Sequence, residues 1–253
     1  MSPENVRQVA ISTKVKGNVR KTLRHIGLDL VRWRPQSSPE AALARMLNQH
    51  RIDTVLDVGA NEGQYALSLR QLGFDGRIIS FEPLAMAHEQ LQRSAAKDAS
   101  WIIPPRMAIG DQEGQIRLNV ASNGGASSSI LPMLEAHQRT APDVGYVGTE
   151  VVPISRLDRV AKEFLGEARN IFLKVDAQGF ELQVLQGAAE LICGIAGAQL
   201  ELSLVPLYEG QALFSELIDW MRKEGFSIWG ILPGLADNSS GRLLQTDVVF
   251  FRA

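Results

Sequence analysis

Residues 54–65 read Thr54-Val55-Leu56-Asp57-Val58-Gly59-Ala60-Asn61-Glu62-Gly63-Gln64-Tyr65. Apolar and β-branched residues run into a glycine turn, the pattern of a parallel strand buried on both faces. The stretch Tyr65-Ala66-Leu67-Ser68-Leu69-Arg70 predicts a helix reaching about Leu72 and closed by Gly73. Arg77-Ile78-Ile79-Ser80-Phe81 predicts a second strand, ending at Glu82-Pro83. Strand, helix and strand make a right-handed βαβ unit. In such sheets ligands bind at the carboxyl ends of the strands.

The turn is not built for a diphosphate. A dinucleotide loop reads G-x-G-x-x-G, yet Asn61 and Gln64 stand where the second and third glycines belong. There is no G-K-[ST], so a Walker loop is excluded. Asp57 and Glu62 flank the turn and would repel a diphosphate, whereas an ammonium or sulfonium would be attracted. Gly59 and Gly63 let backbone and ligand approach closely. Glu82 follows Gly63 by nineteen residues, where a carboxylate accepts hydrogen bonds from ribose hydroxyls. S-adenosylmethionine has the ribose and both cations and lacks the diphosphate. Singly, Asp57 reads equally well as a strand-end cap and Glu82 as a solvated turn residue; order and spacing together favour the ligand.

Downstream, residues 101–109 and 115–120 read as strands joined by Gly110-Asp111-Gln112-Glu113-Gly114. Residues 121–149 are rich in Ser, Gly and Pro and read as a loop insertion, a candidate substrate lid or a surface loop. His137 within it is expected to face solvent. Residues 171–175 and 198–204 read as further strands, with Asp176 at the carboxyl end of the first and Glu201 in the second. Residues 211–224 read as a helix, followed by strands at 227–229 and 247–251.

Several of these blocks resemble the FkbM-type methyltransferases. They are Asp57-Val58-Gly59-Ala60-Asn61-Glu62-Gly63-Gln64-Tyr65, Phe81-Glu82-Pro83, Ser127-Ser128-Ser129-Ile130, Ser155-Arg156-Leu157-Asp158, and Leu173-Lys174-Val175-Asp176-Ala177-Gln178-Gly179-Phe180-Glu181, the last running into Val184-Leu185-Gln186-Gly187-Ala188. The resemblance covers roughly residues 40–251. It implies a Rossmann-like α/β sheet of about seven strands flanked by helices, the last strand antiparallel, as in class I methyltransferases. It also implies methyl transfer to a hydroxyl oxygen of a sugar, glycolipid or secondary metabolite, and an Asp111 turn beside the adenine. One departure stands out: Gln178 sits where the family usually has Glu.

The site expected from these readings has Asp57, Gly59, Ala60, Asn61, Glu62, Gly63, Tyr65, Glu82 and Asp111 on the cofactor. Asp176 is expected to take the acceptor's proton. Two other readings of Asp176 stay open: a divalent cation held with Glu201, or an anchor for a helix N-terminus. The alternatives to a methyltransferase are an NAD-dependent oxidoreductase, against which the broken glycine pattern speaks, and a non-catalytic cofactor-binding domain, hinted at by Gln178.

Composition sets the frame. The 253 residues carry a formal charge of −2, so bulk charge points to no nucleic-acid partner. Cys193 is the one cysteine, which suits a reducing compartment; in Leu191-Ile192-Cys193 it reads as a small buried hydrophobe. No stretch nears the roughly 20 apolar residues that span a bilayer, and no signal-peptide core opens the chain, so a cytoplasmic protein is expected. Residues 1–34 hold eight basic side chains against two acidic, a local balance of +6. Val15, Val19, Leu23, Ile26 and Leu30 recur at helical spacing, describing an amphipathic basic helix. That helix either packs with a solvated basic face or touches an anionic membrane surface. Domain boundaries are expected at 1–38 for the extension and 39–253 for the Rossmann-like domain, with Pro39 opening a helix behind Ser38. Oligomeric state is not legible.

Overall fold

The computed structural model describes residue 19, residues 21–25 and residues 38–252. It divides into two compact units, Met1–Ser38 and Pro39–Ala253. In the first, residue 19 and residues 21–25 are helical; the rest of the basic amphipathic pattern lies outside the described residues. Among the described residues no helix is long and apolar enough to cross a membrane.

The second unit opens with α1 (Pro39–Gln49), β1 (Thr54–Val58), α2 (Gln64–Gln71), β2 (Arg77–Phe81), α3 (Ala85–Ala95) and β3 (Trp101–Ile102). It continues with β4 (Ala108–Gly110), β5 (Gly114–Ala121), α4 (Glu135–Thr140), β6 (Tyr146–Arg156), α5 (Leu157–Val160) and α6 (Lys162–Leu165). β7 (Ile171–Val175), α7 (Glu181–Gln186), β8 (Ile195–Ser203), α8 (Phe214–Lys223), β9 (Phe226–Pro233) and β10 (Gln245–Arg252) complete it.

Seven strands form one sheet in the order β3-β2-β1-β7-β8-β10-β9. β10 runs antiparallel to both of its neighbours, while the pairs β1–β2, β1–β7, β2–β3 and β7–β8 are parallel. All five residues of β1 and of β7 are buried, as helices on both faces require. Alternation along each strand divides the core. Leu56, Leu173 and Leu200 face one way, packing with Val184 and Leu185 of α7 and Leu217 and Met221 of α8. Val55, Phe172 and Val249 face the other, against Leu43 and Leu47 of α1 and Ala66 and Leu69 of α2. The strand order reverses between β1 and β7, and that switch point locates the cleft.

Four expectations change. The strand expected over 101–109 is two strands: Pro104 and Pro105 end β3, and the chain leaves the main sheet. β4 then joins a second, three-stranded sheet in the order β4-β6-β5. The 121–149 insertion is not all loop. It contains α4, and its end enters β6, an eleven-residue strand pairing antiparallel with β5. Gly145, Gly148 and Pro153 disguised that strand as a breaker-rich stretch. His137, on α4, is buried at 3% exposure and its ring lies tilted against Tyr208, ring centroids 5.5 Å apart. Cys193 is exposed instead of buried, because a 3₁₀ turn, Ile192–Gly194, turns Ile192 inward and Cys193 out.

The Asp158 carboxylate secures the corner after β6. Its Oδ1 accepts the backbone N–H groups of Glu190 (3.1 Å) and Leu191 (2.9 Å), and its Oδ2 accepts Arg156 Nη2 (3.0 Å). Asp158→Ala strands two part-buried donors, at a cost of roughly 2–3 kcal/mol. Thermal unfolding should show a melting point lower by about 5–10 °C.

Candidate active site

The main cavity, about 480 Å³, opens where β1, β2 and β7 end. The glycine turn shapes its floor. Gly59 adopts φ +75°, and a Cβ there would lie 1.8 Å from the Asp176 carbonyl oxygen; only glycine lets the turn pack against the end of β7. The Gly59 and Ala60 N–H groups both donate to the Phe81 carbonyl at 3.1 Å, tying the turn to β2.

Glu82 stands at the end of β2, 5% exposed. Its Oε2 accepts the Asn61 N–H and its Oε1 the Leu84 N–H, each at 2.8 Å. The two amides fix the carboxylate at the cavity wall. Burial pushes its pKa up to about 7, against the pull of those two amides.

The cavity has two unlike ends. Met107, Ile109, Leu118, Ile130 and Phe180 make one end apolar; Tyr65, Lys174, Asp176, Gln199 and Asp247 make the other polar. Glu82 is the lining carboxylate that follows β2. The second sheet supplies the apolar end through Ala108, Ile109 and Leu118, which explains why the chain departs from the main sheet after β3.

A row of polar side chains crosses the sheet beneath the polar end. Cross-strand register aligns Ser80 with Asp57, Asp57 with Lys174, and Lys174 with Gln199. Ser80 Oγ donates to Asp57 Oδ2 at 3.0 Å, and Trp101 Nε1 donates to Ser80 Oγ at 2.9 Å. Lys174 Nζ lies 3.2 Å from Asp57 Oδ1 and 3.7 Å from Asp176 Oδ2, and donates to the Gly59 carbonyl at 3.0 Å. Burial alone would lower the lysine's pKa, but Asp57 and Asp176 reverse that and hold it above its ordinary value. Tyr65 lies over the ammonium at 5.5 Å and donates its hydroxyl to Gln199 Oε1 at 3.2 Å.

Of the residues expected on the cofactor, Gly59, Ala60, Asn61, Tyr65 and Glu82 line this cavity, as does the expected base Asp176. Asp57, Glu62, Gly63 and Asp111 do not. Asp57 is fully buried under the turn, its carboxylate engaged by Lys174 and Ser80. Glu62 and Asp111 are exposed, and Gly63 packs against Trp101 and Leu91. The cavity's negative charge therefore comes from Glu82, Asp176 and Asp247, not from the acidic pair beside the turn. Lys174, Gln199 and Asp247 went unassigned in the sequence. A lysine inside the apolar run Ile171-Phe172-Leu173-Lys174-Val175 was a usable signal, since buried lysine needs a partner.

Gln178 connects the second block to the site. With φ +50°, it places Nε2 between two carboxylates, donating to Asp176 Oδ1 (2.7 Å) and Glu201 Oε2 (2.8 Å). Its Oε1 accepts the Tyr208 hydroxyl at 2.6 Å, and its carbonyl accepts Ser129 Oγ at 2.7 Å. The amide thus stands where a divalent cation, the alternative reading of Asp176, would bridge Asp176 and Glu201. Among the described residues no group of three or more His, Cys, Asp or Glu side chains is arranged to hold a metal. The cation reading is withdrawn.

Glu181 caps the loop from below: its Oε1 accepts the N–H groups of Ala177 (3.0 Å) and Gly179 (3.1 Å). Burial pushes its pKa up to about 7 as well. A carboxyl raised above its unfolded value of 4.5 contributes stability fully present below that pH and lost as pH rises through 7. The two shifts, at about 1.4 kcal/mol per unit, amount to roughly 3 kcal/mol per group. Urea unfolding of the ligand-free protein at pH 5, 6 and 7 should show Glu181→Gln with a flatter stability profile than wild type.

The seven-stranded sheet with one antiparallel strand is the Rossmann-like α/β fold of a methyltransferase domain. The chain belongs to the FkbM methyltransferase domain family, whose sequence model matches residues 57–228. It is 26% identical over 156 residues to a protein described as methyltransferase sdnD of Sordaria araneosa. That alignment covers 54% of this chain and 60% of the relative, so the chain spans less than two thirds of the relative's length. Similar solved structures include Aeropyrum pernix fibrillarin with natively bound S-adenosyl-L-methionine, at 9% identity and TM-score 0.44, covering 78% of this chain and 66% of that one. A TehB-like methyltransferase of Corynebacterium glutamicum matches at 10% identity and TM-score 0.39, covering 96% of this chain and all of its own.

Proposed function

We propose that this domain transfers a methyl group from S-adenosylmethionine to a hydroxyl oxygen of a sugar, glycolipid or secondary metabolite. The observation that carries the reading is the Glu82 carboxylate, clamped by the Asn61 and Leu84 amides beside a glycine turn with no phosphate-binding pattern. That carboxylate suits a ribose diol. The apolar end, with Ile109 and Phe180, suits the adenine, and the polar end, with Asp176 and Asp247, suits the cationic amino-acid portion. Three carboxylates on the lining oppose a diphosphate, and no observation favours a nicotinamide dinucleotide.

When bound, the cofactor supplies a methyl group already made electrophilic by its sulfonium. The protein's part is alignment, exclusion of water and removal of the acceptor's proton. Oriented approach can lower a barrier by about 7–11 kcal/mol, and a positioned base adds roughly 10²–10⁴-fold. Asp176 faces the cleft and is our candidate for that base. The Gln178 amide holds its Oδ1, and Lys174 approaches its Oδ2, so the carboxylate has a fixed direction.

Incubating the purified protein with methyl-labelled S-adenosylmethionine and fractionated host extract tests the reaction. Label in an alkali-stable methyl ether supports the proposal. Label appearing only on nitrogen, carbon or carboxylate oxygen would refute transfer to a hydroxyl.

A further inference from the structure

A second cavity, about 230 Å³, lies beside the main one. Leu43 of α1, Ser68, Leu69 and Leu72 on the α2 side, and Leu232 and Pro233 at the end of β9 form its walls. Tyr65, Gln199 and Asp247 line both cavities. The two spaces therefore share a wall of three polar side chains, at the polar end of the main cleft. Register explains the placement: Asp247 on β10 pairs with Leu232 on β9, and Lys174 pairs with Gln199 on β8. Asp247 and Gln199 both point to the sheet face that α1 and α2 cover, since their neighbours Val248, Ala198 and Leu200 pack on the opposite face.

We infer that this second cavity holds the acceptor group, and that the acceptor is compact, uncharged and hydroxyl-bearing, with one apolar flank. The inference rests on the methyltransferase reading above and extends it. Volume sets the scale: a space of about 230 Å³ suits one ring and is too small for a folded chain. The leucine walls face an apolar flank. Tyr65, Gln199 and Asp247 on the shared wall, and Ser68 on the α2 side, offer hydrogen-bond partners for hydroxyls. Charge selects against anions: Asp247 lines this cavity, and no Lys, Arg or His is among its described lining residues. A phosphate or carboxylate on the group being methylated would be repelled. Asp247, on the shared wall, orients the hydroxyl toward the cleft. Burial raises its carboxyl above the ordinary range, opposed by a hydrogen bond from Gln199.

Stable nitrogen analogues of S-adenosylmethionine test this without a known acceptor. In them a tertiary amine replaces the sulfonium and carries a methyl, benzyl, 2-hydroxyethyl or carboxymethyl arm that projects where the acceptor would sit. Wild type should bind the benzyl analogue at least as tightly as the methyl analogue by calorimetry. It should bind the carboxymethyl analogue at least tenfold more weakly than the hydroxyethyl one, and Asp247→Asn should narrow that gap. Leu232→Trp and Ser68→Trp fill the cavity from opposite walls. Each should leave the methyl analogue within about twofold of wild type while weakening the benzyl analogue at least tenfold. Wild type that accepts methyl but rejects benzyl, or tryptophan variants that retain benzyl binding, would overturn the site assignment. Equal binding of the two polar arms would overturn the uncharged-acceptor claim. Wild type that binds none of the four would instead overturn the cofactor reading on which the inference stands.

Discussion

Glu82→Ala should weaken S-adenosylmethionine binding by roughly two to three orders of magnitude. Two hydrogen bonds from ribose hydroxyls to one carboxylate, each worth about 1.5–3 kcal/mol, account for a loss of that size. The side chain also anchors the turn, because its oxygens accept the Asn61 and Leu84 amides. Glu82→Gln keeps one acceptor oxygen but turns an amide N–H toward one of those backbone donors, so it should rank between wild type and alanine. Affinity should depend on pH in a stated direction. The ionised carboxylate accepts from both ribose hydroxyls, whereas the protonated form does so less well. With the pKa pushed up to about 7, wild-type affinity rises from pH 6 to pH 8 and levels off above. Glu82→Ala should show no such rise. Calorimetric titration at three pH values reads both effects.

Lys174→Met should destabilise the fold by about 3–5 kcal/mol, the cost of leaving a buried charge without its partner. The stranded group is Asp57, fully buried and 3.2 Å from the ammonium. The variant also removes the donor to the Gly59 carbonyl, so the glycine turn loosens and the cofactor site is lost with it. Removing both charges separates the causes. Asp57→Asn combined with Lys174→Met leaves no buried ion unpaired and should recover a large part of the stability in urea unfolding. An equal loss in the single and double variants would show that the lysine's packing, not the charge pairing, dominates.

The parts of this molecule that sequence made legible are contiguous. The β1–turn–α2–β2 unit is encoded within some thirty residues, by apolar runs punctuated with glycine, and its ligand-facing end follows from strand direction. The place of Glu82 at the end of β2 was readable for the same reason. What escaped depends on partners far along the chain. Asp57 sits beside the turn in sequence, so it read as a ligand group. Its direction is set by alternation along β1, which turns it under the sheet surface onto Lys174, 117 residues away. The second sheet was hidden because β6 carries Gly148 and Pro153 and pairs with β5 across the insertion. Its propensity is weak and its stability comes from that pairing and from packing of Val152 and Ile154. Gln178 was visible as a departure from the family pattern, but only as a lost carboxylate. The structure gives it a positive role, a neutral donor between two acidic groups, because a carboxylate at that point would repel Asp176 and Glu201.

The account stands on one claim, that the cleft beside Glu82 is a nucleoside site for a cationic cofactor. A crystal structure grown with S-adenosylhomocysteine tests it most directly. The ribose hydroxyls should lie within hydrogen-bond distance of the Glu82 carboxylate, with the adenine against Ile109 and Phe180 and the amino-acid portion toward Asp176. Density for the ligand elsewhere, or a ribose turned away from Glu82, would contradict the claim.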